Sequence, residues 1–145
     1  MKLYCGIDLH SNNSLVSVIN EKDRVVFEKR LPNDLMTIRN ALQPYQAEMA
    51  GIVVESTYNW YWLVDGLIDT GYDVRLANTI AMKQYDGLKY TDDKTDARHL
   101  AHVFRLGILP EGYIYPFDMR CVRDALRRRL LMVRQRVMHH LSLKA

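Results

Sequence analysis

Cysteine is scarce in this 145-residue sequence, and the two present, Cys5 and Cys121, stand far apart with no CxxC or CxxH spacing. That excludes a disulfide scaffold and a structural zinc site, and free thiols fit a reducing compartment. Long apolar runs are missing as well. None approaches the roughly 20 residues of a membrane-spanning helix, and no signal-peptide pattern opens the chain. A cytoplasmic location with no membrane partner is therefore expected. The length suits one domain of ordinary size that buries a core unaided.

Acidic residues are nearly absent from one end only. Residues 119–145 hold seven arginines and one lysine against the single acid Asp124, a charge of +7, which leaves −4 for residues 1–118 of the overall +3. An acidic body with a basic extension is a common arrangement in proteins that hold nucleic acid. A solvated helix face is the alternative.

The stretch Leu3 to Leu9 is a short apolar run carrying one carboxylate, Asp8. At the two-residue strand period Leu3, Cys5 and Ile7 share one face, and Tyr4, Gly6 and Asp8 the other. A glycine beside an acid lets a backbone, ligand or metal come close, and an acid in such company usually has a charge to meet. Ser14 to Asn20 and Arg24 to Leu31 alternate after polar turns, which predicts a three-stranded antiparallel meander. Pro32 ends it, Asn33 or Asp34 can cap a helix marked by Leu35, Ile38 and Leu42, and Pro44 interrupts that helix.

Gly51 to Glu55 is a second apolar run closing on an acid. Asn59 can cap a helix to Thr70, Tyr72 to Leu76 reads as a strand, and a longer helix runs from about Asp92 to Leu106. Residues 109–118 read as a linker after a domain spanning 1–108. In residues 119–145, Val122, Leu126, Leu130, Val133, Val137 and Leu141 step as one helix face does. This basic amphipathic helix has no stop signal, as expected of the start of a coiled coil in a longer protein. The apolar face predicts a homo-oligomer. The element order implies an α/β fold: a ribonuclease-H-like mixed sheet of five strands, helices on both faces, then the long C-terminal helix.

In such a sheet the first and fourth strands are neighbours, so Asp8 and Glu55 can face one another. Asp93 and Asp96 are three residues apart, and Asp92 and Asp96 four; either spacing puts two carboxylates on one helix face. Four acids brought together repel unless cations join them. Oxygen ligands select hard ions, Mg2+ or Mn2+, and two such ions about 4 Å apart serve phosphodiester chemistry. Helix caps and surface acids are the alternative reading of the same residues.

Three segments, Cys5-Gly6-Ile7-Asp8-Leu9-His10, Val53-Val54-Glu55-Ser56-Thr57 and Asp93-Lys94-Thr95-Asp96-Ala97-Arg98, together resemble the DEDD-type insertion-sequence transposases, the family of the pilin-gene inverting recombinase. The resemblance covers essentially the whole chain, as that family's N-terminal RuvC-like domain. It implies that the four-acid catalytic and metal signature falls on Asp8, Glu55, Asp93 and Asp96. One departure stands out: Thr91-Asp92 replaces the usual basic residue and threonine, so Asp92 competes with Asp93, and the family's two-residue gap favours Asp93. The resemblance further implies a DNA recombinase of a mobile element, guided in some members by a structured RNA, with a catalytic serine in a later domain; Ser142 reads as a polar helix position.

Lys94, Arg98, Arg123, Arg127, Arg128 and Arg134 are candidate nucleic-acid contacts through phosphate. His10, two positions after the first strand's acid, is weighed as a contact to the metal site, but a turn histidine in water is the favoured reading. His99 is weighed as a partner behind the ligands, with a satisfied helix-face residue favoured for it as for His102. Tyr58, Trp60 and Trp62 read as packing. Competing functions are a stand-alone RuvC-like nuclease or junction resolvase, and a non-catalytic nucleic-acid-binding assembly domain. An actin-like ATPase is disfavoured, because His10 stands where its phosphate loop needs glycine.

Overall fold

The computed structural model describes residues 1–56, 59–88 and 93–145, without the side chains of 86–88 and 93–95. Met1–Tyr113 and Ile114–Ala145 form two compact units. The first opens with a meander of β1 (Leu3–Leu9), β2 (Asn13–Asn20) and β3 (Val25–Pro32), each antiparallel to the next. Helix α1 (Leu35–Leu42) follows, and a 3-10 turn over Gln43–Glu48 with Pro44 in its first turn ends the α-helical hydrogen bonding. The cap of α1 is Asp34, whose Oδ2 accepts from the Thr37 backbone N–H at 2.8 Å and its hydroxyl at 2.6 Å.

Strand β4 (Met49–Glu55) pairs parallel with β1, and β5 (Val74–Ala77) parallel with β4, with α2 (Tyr61–Asp69) between them. A short α3 (Thr79–Met82) and a 3-10 turn over Lys83–Leu88 precede α4 (Asp93–Arg105). The sheet order is β3-β2-β1-β4-β5-β6. Its sixth member, β6 (Glu111–Gly112), is antiparallel to β5 and comes from the segment expected as a linker, so the sheet has six strands, not five. Two residues are too short to show an alternating pattern.

The face holding Cys5, Ile7, Ile52 and Val54 is fully buried, facing α1 and α2 with their buried Ile38, Leu42, Leu63, Val64 and Leu67. Helix α4 covers the opposite face. Gly6 pairs with Val53 on one side and Ser17 on the other, and Ser17 with Glu28, forming one row across the sheet beneath the helix. Val53 packs with Leu100 and Val103 of α4, and Tyr4 meets Phe104 edge to face at 5.8 Å between centroids. Asn59 is not the expected cap of α2: it takes a left-handed φ of 63°, which asparagine tolerates, and Trp60 stands at the helix start without a side-chain cap.

The second unit is dominated by α5 (Phe117–Lys144), 28 residues long. Arg123 reaches Asp124 at 2.9 Å and lies 4.9 Å from the Tyr115 ring centroid. Among the described residues no helix is long and apolar enough to cross a membrane.

Candidate active site

Side chains alternate along a strand, so Asp8 projects on the same face as Gly6, and Glu55 on the same face as Val53. Both acids therefore point toward the α4 side, at the carboxyl ends of neighbouring parallel strands. The last registered pair between these strands is Ile7 with Val54, one residue before the acids. In open α/β sheets, ligands collect at such strand ends.

Helix α4 brings the third carboxylate. It reaches the sheet closely because Gly6 has no side chain, and its buried Ala97 sits directly over that glycine. Asp96, one residue earlier, then faces a cavity of about 90 Å³ lined by Glu55, Ala77, Thr79, Met82, His99 and Leu100 as well. Glu55 and Asp96, 41 positions apart in sequence, thus share one wall-to-wall space.

Asp8 is 3% exposed, an expensive place for a carboxylate without a compensating partner. Its Oδ2 accepts no hydrogen bond. The Nε2 of His10 lies 3.1 Å from that oxygen, yet the two are not aligned as donor and acceptor, and Nε2 is likewise buried without a hydrogen bond. His10 is thus not the free turn residue expected. Its backbone N–H donates to the Asn13 carbonyl at 2.9 Å, and its carbonyl accepts from Asn33 Nδ2 at 2.8 Å.

The outer face of α4 is tied to the meander. Arg98 forks onto Glu28 of β3 through Nε and a second bond at 2.8 Å, and Ser17, fully buried, also donates to Glu28. One turn on, His102 Nδ1 meets Asp23 Oδ1 at 2.8 Å, and Arg105 lies 3.4 Å from the same carboxylate. The helix carrying Asp96 is therefore held from below by Gly6 and from the side by Glu28 and Asp23.

A transposase family model, that of the DEDD transposases of IS110 type, matches residues 5–145. The chain belongs to this transposase family. Among solved structures it is similar to RuvC of T. thermophilus in complex with a Holliday junction substrate, with a TM-score of 0.50 and 11% identity, over 77% of this chain and 100% of that one. At that identity the likeness shows the fold, which is RuvC-like. No curated protein matches the chain.

For a DEDD transposase, the acids divide three ways. Glu55 and Asp96 line one cavity, and Asp8 stands at the neighbouring strand end, its Oδ2 3.1 Å from His10 Nε2. The Asp93 and Lys94 side chains and the whole of Asp92 lie outside the described residues. Among the described residues, no three His, Cys, Asp or Glu side chains gather into a set able to hold a metal ion. Of the expected nucleic-acid contacts, Arg98 is engaged by Glu28 and Arg123 by Asp124, whereas Arg127, Arg128 and Arg134 are exposed on α5. His102 is satisfied as expected. The residues that sequence reasoning undervalued are His10 and Glu28. His10 carried a signal, standing two positions after Asp8; Glu28, seventy residues from Arg98, carried none.

Proposed function

We propose that this transposase chain supplies a divalent-metal site for DNA strand cleavage and transfer, with Asp8, Glu55, Asp93 and Asp96 holding Mg2+ or Mn2+. The observation that carries the reading is the convergence of Glu55 and Asp96 on one cavity, with the buried, unbonded Asp8 Oδ2 at the adjacent strand end. A carboxylate oxygen excluded from water and without a donor suits a cation. Asp93 and Asp96 are three residues apart in sequence, the spacing that suits two ligands on one helix face. A pair of such ions, when bound, polarises a phosphodiester and activates the attacking oxygen. What supports the reading is the seating of α4: Gly6 admits it close to the sheet, and Glu28 and Asp23 tie its outer face through Arg98 and His102.

DNA is the substrate in this reading, consistent with the junction-bound RuvC whose fold the chain shares. Residues 1–108 act as the catalytic domain. The basic helix, residues 119–145, holds nucleic-acid phosphates through Arg123, Arg127, Arg128 and Arg134, with Lys94, next to Asp93 in sequence, as a further contact, and a structured guide RNA is a second nucleic-acid partner. Its exposed apolar stripe, Leu126, Leu130 and Val137, mediates self-association.

Thermal melts test the metal assignment. Asp8→Asn, Glu55→Gln, Asp93→Asn and Asp96→Asn keep side-chain shape but remove charge and a good ligand. The stabilisation that Mg2+ or Mn2+ gives the parent is expected to vanish in these four and to persist in Asp92→Asn. Equal shifts in all five variants and the parent would refute the assignment.

A further inference from the structure

We infer that His10 is a ligand of the divalent ion at Asp8, so that the site is not all-oxygen but includes one imidazole nitrogen. The inference rests on the proposed metal reading and adds a residue outside the four acids. Its basis is a pair of buried atoms: Asp8 Oδ2 and His10 Nε2, each without a hydrogen bond, 3.1 Å apart. An imidazole that served only to neutralise Asp8 would turn its N–H onto the carboxylate oxygen, and here the alignment is missing. Two ligands each about 2.1 Å from an octahedral ion and at right angles to one another are separated by about 3.0 Å. The observed 3.1 Å between the two atoms fits adjacent ligands of one ion.

The backbone prepares this position. His10 leaves β1 directly after Leu9, and both its backbone polar groups are bound, to Asn13 and to Asn33. Asn33 is in turn fixed by the hydroxyl of Ser14, which donates to its Oδ1 at 2.6 Å and is fully buried. The ring is thus carried on a tethered turn next to Asp8, with its Nε2 edge inward and the remainder partly open to water.

A nitrogen donor changes which ion the site takes. Carboxylate and water ligands suit Mg2+, whereas imidazole favours the later divalent metals, and affinity rises from Mn2+ through Co2+. Mn2+ binding should therefore exceed Mg2+ binding by more than an all-carboxylate site gives, and that excess should depend on His10.

The test uses Mn2+ as probe with the full chain, read by pulsed electron paramagnetic resonance for nitrogen hyperfine coupling. The parent is expected to show a directly bound 14N that becomes 15N when histidine is isotopically labelled. His10→Gln should lose the coupling and weaken Mn2+ by about tenfold or more, with a smaller change for Mg2+; His99→Gln should retain the coupling. If Mn2+ binds and its binding depends on Asp8, yet the labelled parent shows no histidine coupling, this inference fails and the four-acid reading stands. Coupling that survives in His10→Gln and vanishes in His99→Gln overturns it equally. Mn2+ binding indifferent to Asp8→Asn overturns both readings together. The labelled parent gives its answer even where a variant does not fold.

Discussion

Gly6 lies directly beneath Ala97: a Cβ on residue 6 would stand 2.0 Å from the Ala97 carbonyl oxygen and 2.9 Å from the Ala101 amide nitrogen. Both obstacles are helix backbone, which does not turn aside as a side chain does. Gly6→Ala must therefore lift α4 from the sheet, at a cost at or above the roughly 3 kcal/mol upper end of ordinary overpacking. Gly51→Ala is the matched comparison, because its Cβ would meet the Phe104 ring at 2.7 Å, where a ring edge can shift, and backbone only at the Asp73 carbonyl, 3.2 Å away. Denaturant unfolding should rank Gly6→Ala well below Gly51→Ala. Equal stabilities would show that α4 does not depend on the close approach.

How much of this was legible in the sequence follows from the range over which each feature acts. The strand period and the acid at the end of each run located Asp8 and Glu55, and the order of elements made their strands neighbours. A cap at Asn33 or Asp34 was legible because capping is local, and the structure gives the role to Asp34. Asn59 was not, because asparagine serves both as a cap and as a left-handed turn residue, and sequence does not choose between them. Strand β6 escaped notice because it is recruited by β5, not by any pattern of its own. The ties from Glu28 and Asp23 to α4 join positions far apart in the chain, and only the packed fold creates them.

The Glu28–Arg98 pair leads to a second prediction. Glu28 is 14% exposed and Arg98 45%, so the pair is only partly shielded from solvent, and a coupling near 1 kcal/mol is expected. A double-mutant cycle with Glu28→Gln and Arg98→Gln, followed by chemical denaturation, measures it. The metal-induced melting shift should weaken in both single variants, since both loosen the helix that carries Asp96. A coupling below about 0.3 kcal/mol would free Arg98 to act as a phosphate contact instead.

Asp34 gives a pH dependence with a definite sign. The hydroxyl of Thr37, and then its backbone N–H, hydrogen-bond the carboxylate and hold its pKa below the ordinary value. Since the folded pKa is the lower one, the unfolded chain binds more protons, and stability from this cap is complete above the unfolded value near pH 3.9. It is lost as pH falls through the folded pKa. Asp34→Asn keeps a capping oxygen without the titration, so its melting temperature should fall less steeply than the parent's below about pH 4. Parallel pH profiles would refute the role.

The basic helix makes the last prediction, which separates phosphate binding from a merely solvated surface. Arg127, Arg128 and Arg134 are exposed along α5, while Arg123 is engaged by Asp124 and the Tyr115 ring. Each phosphate neutralised by a cation releases counterions, so the logarithm of the binding constant falls linearly with that of salt concentration. The slope is about −0.9 per contact on duplex DNA and about −0.7 on a single strand. Replacing Arg127, Arg128 or Arg134 by Gln should therefore make the slope shallower by close to one contact each, with little change in sequence preference. Arg123→Gln should change it less, because its charge is already partly met. Fluorescence anisotropy across a salt series on unrelated duplexes reads these slopes directly. A slope that is the same in the parent and all four variants would leave the arginines as a solvated helix face and move nucleic-acid contact to another part of the chain.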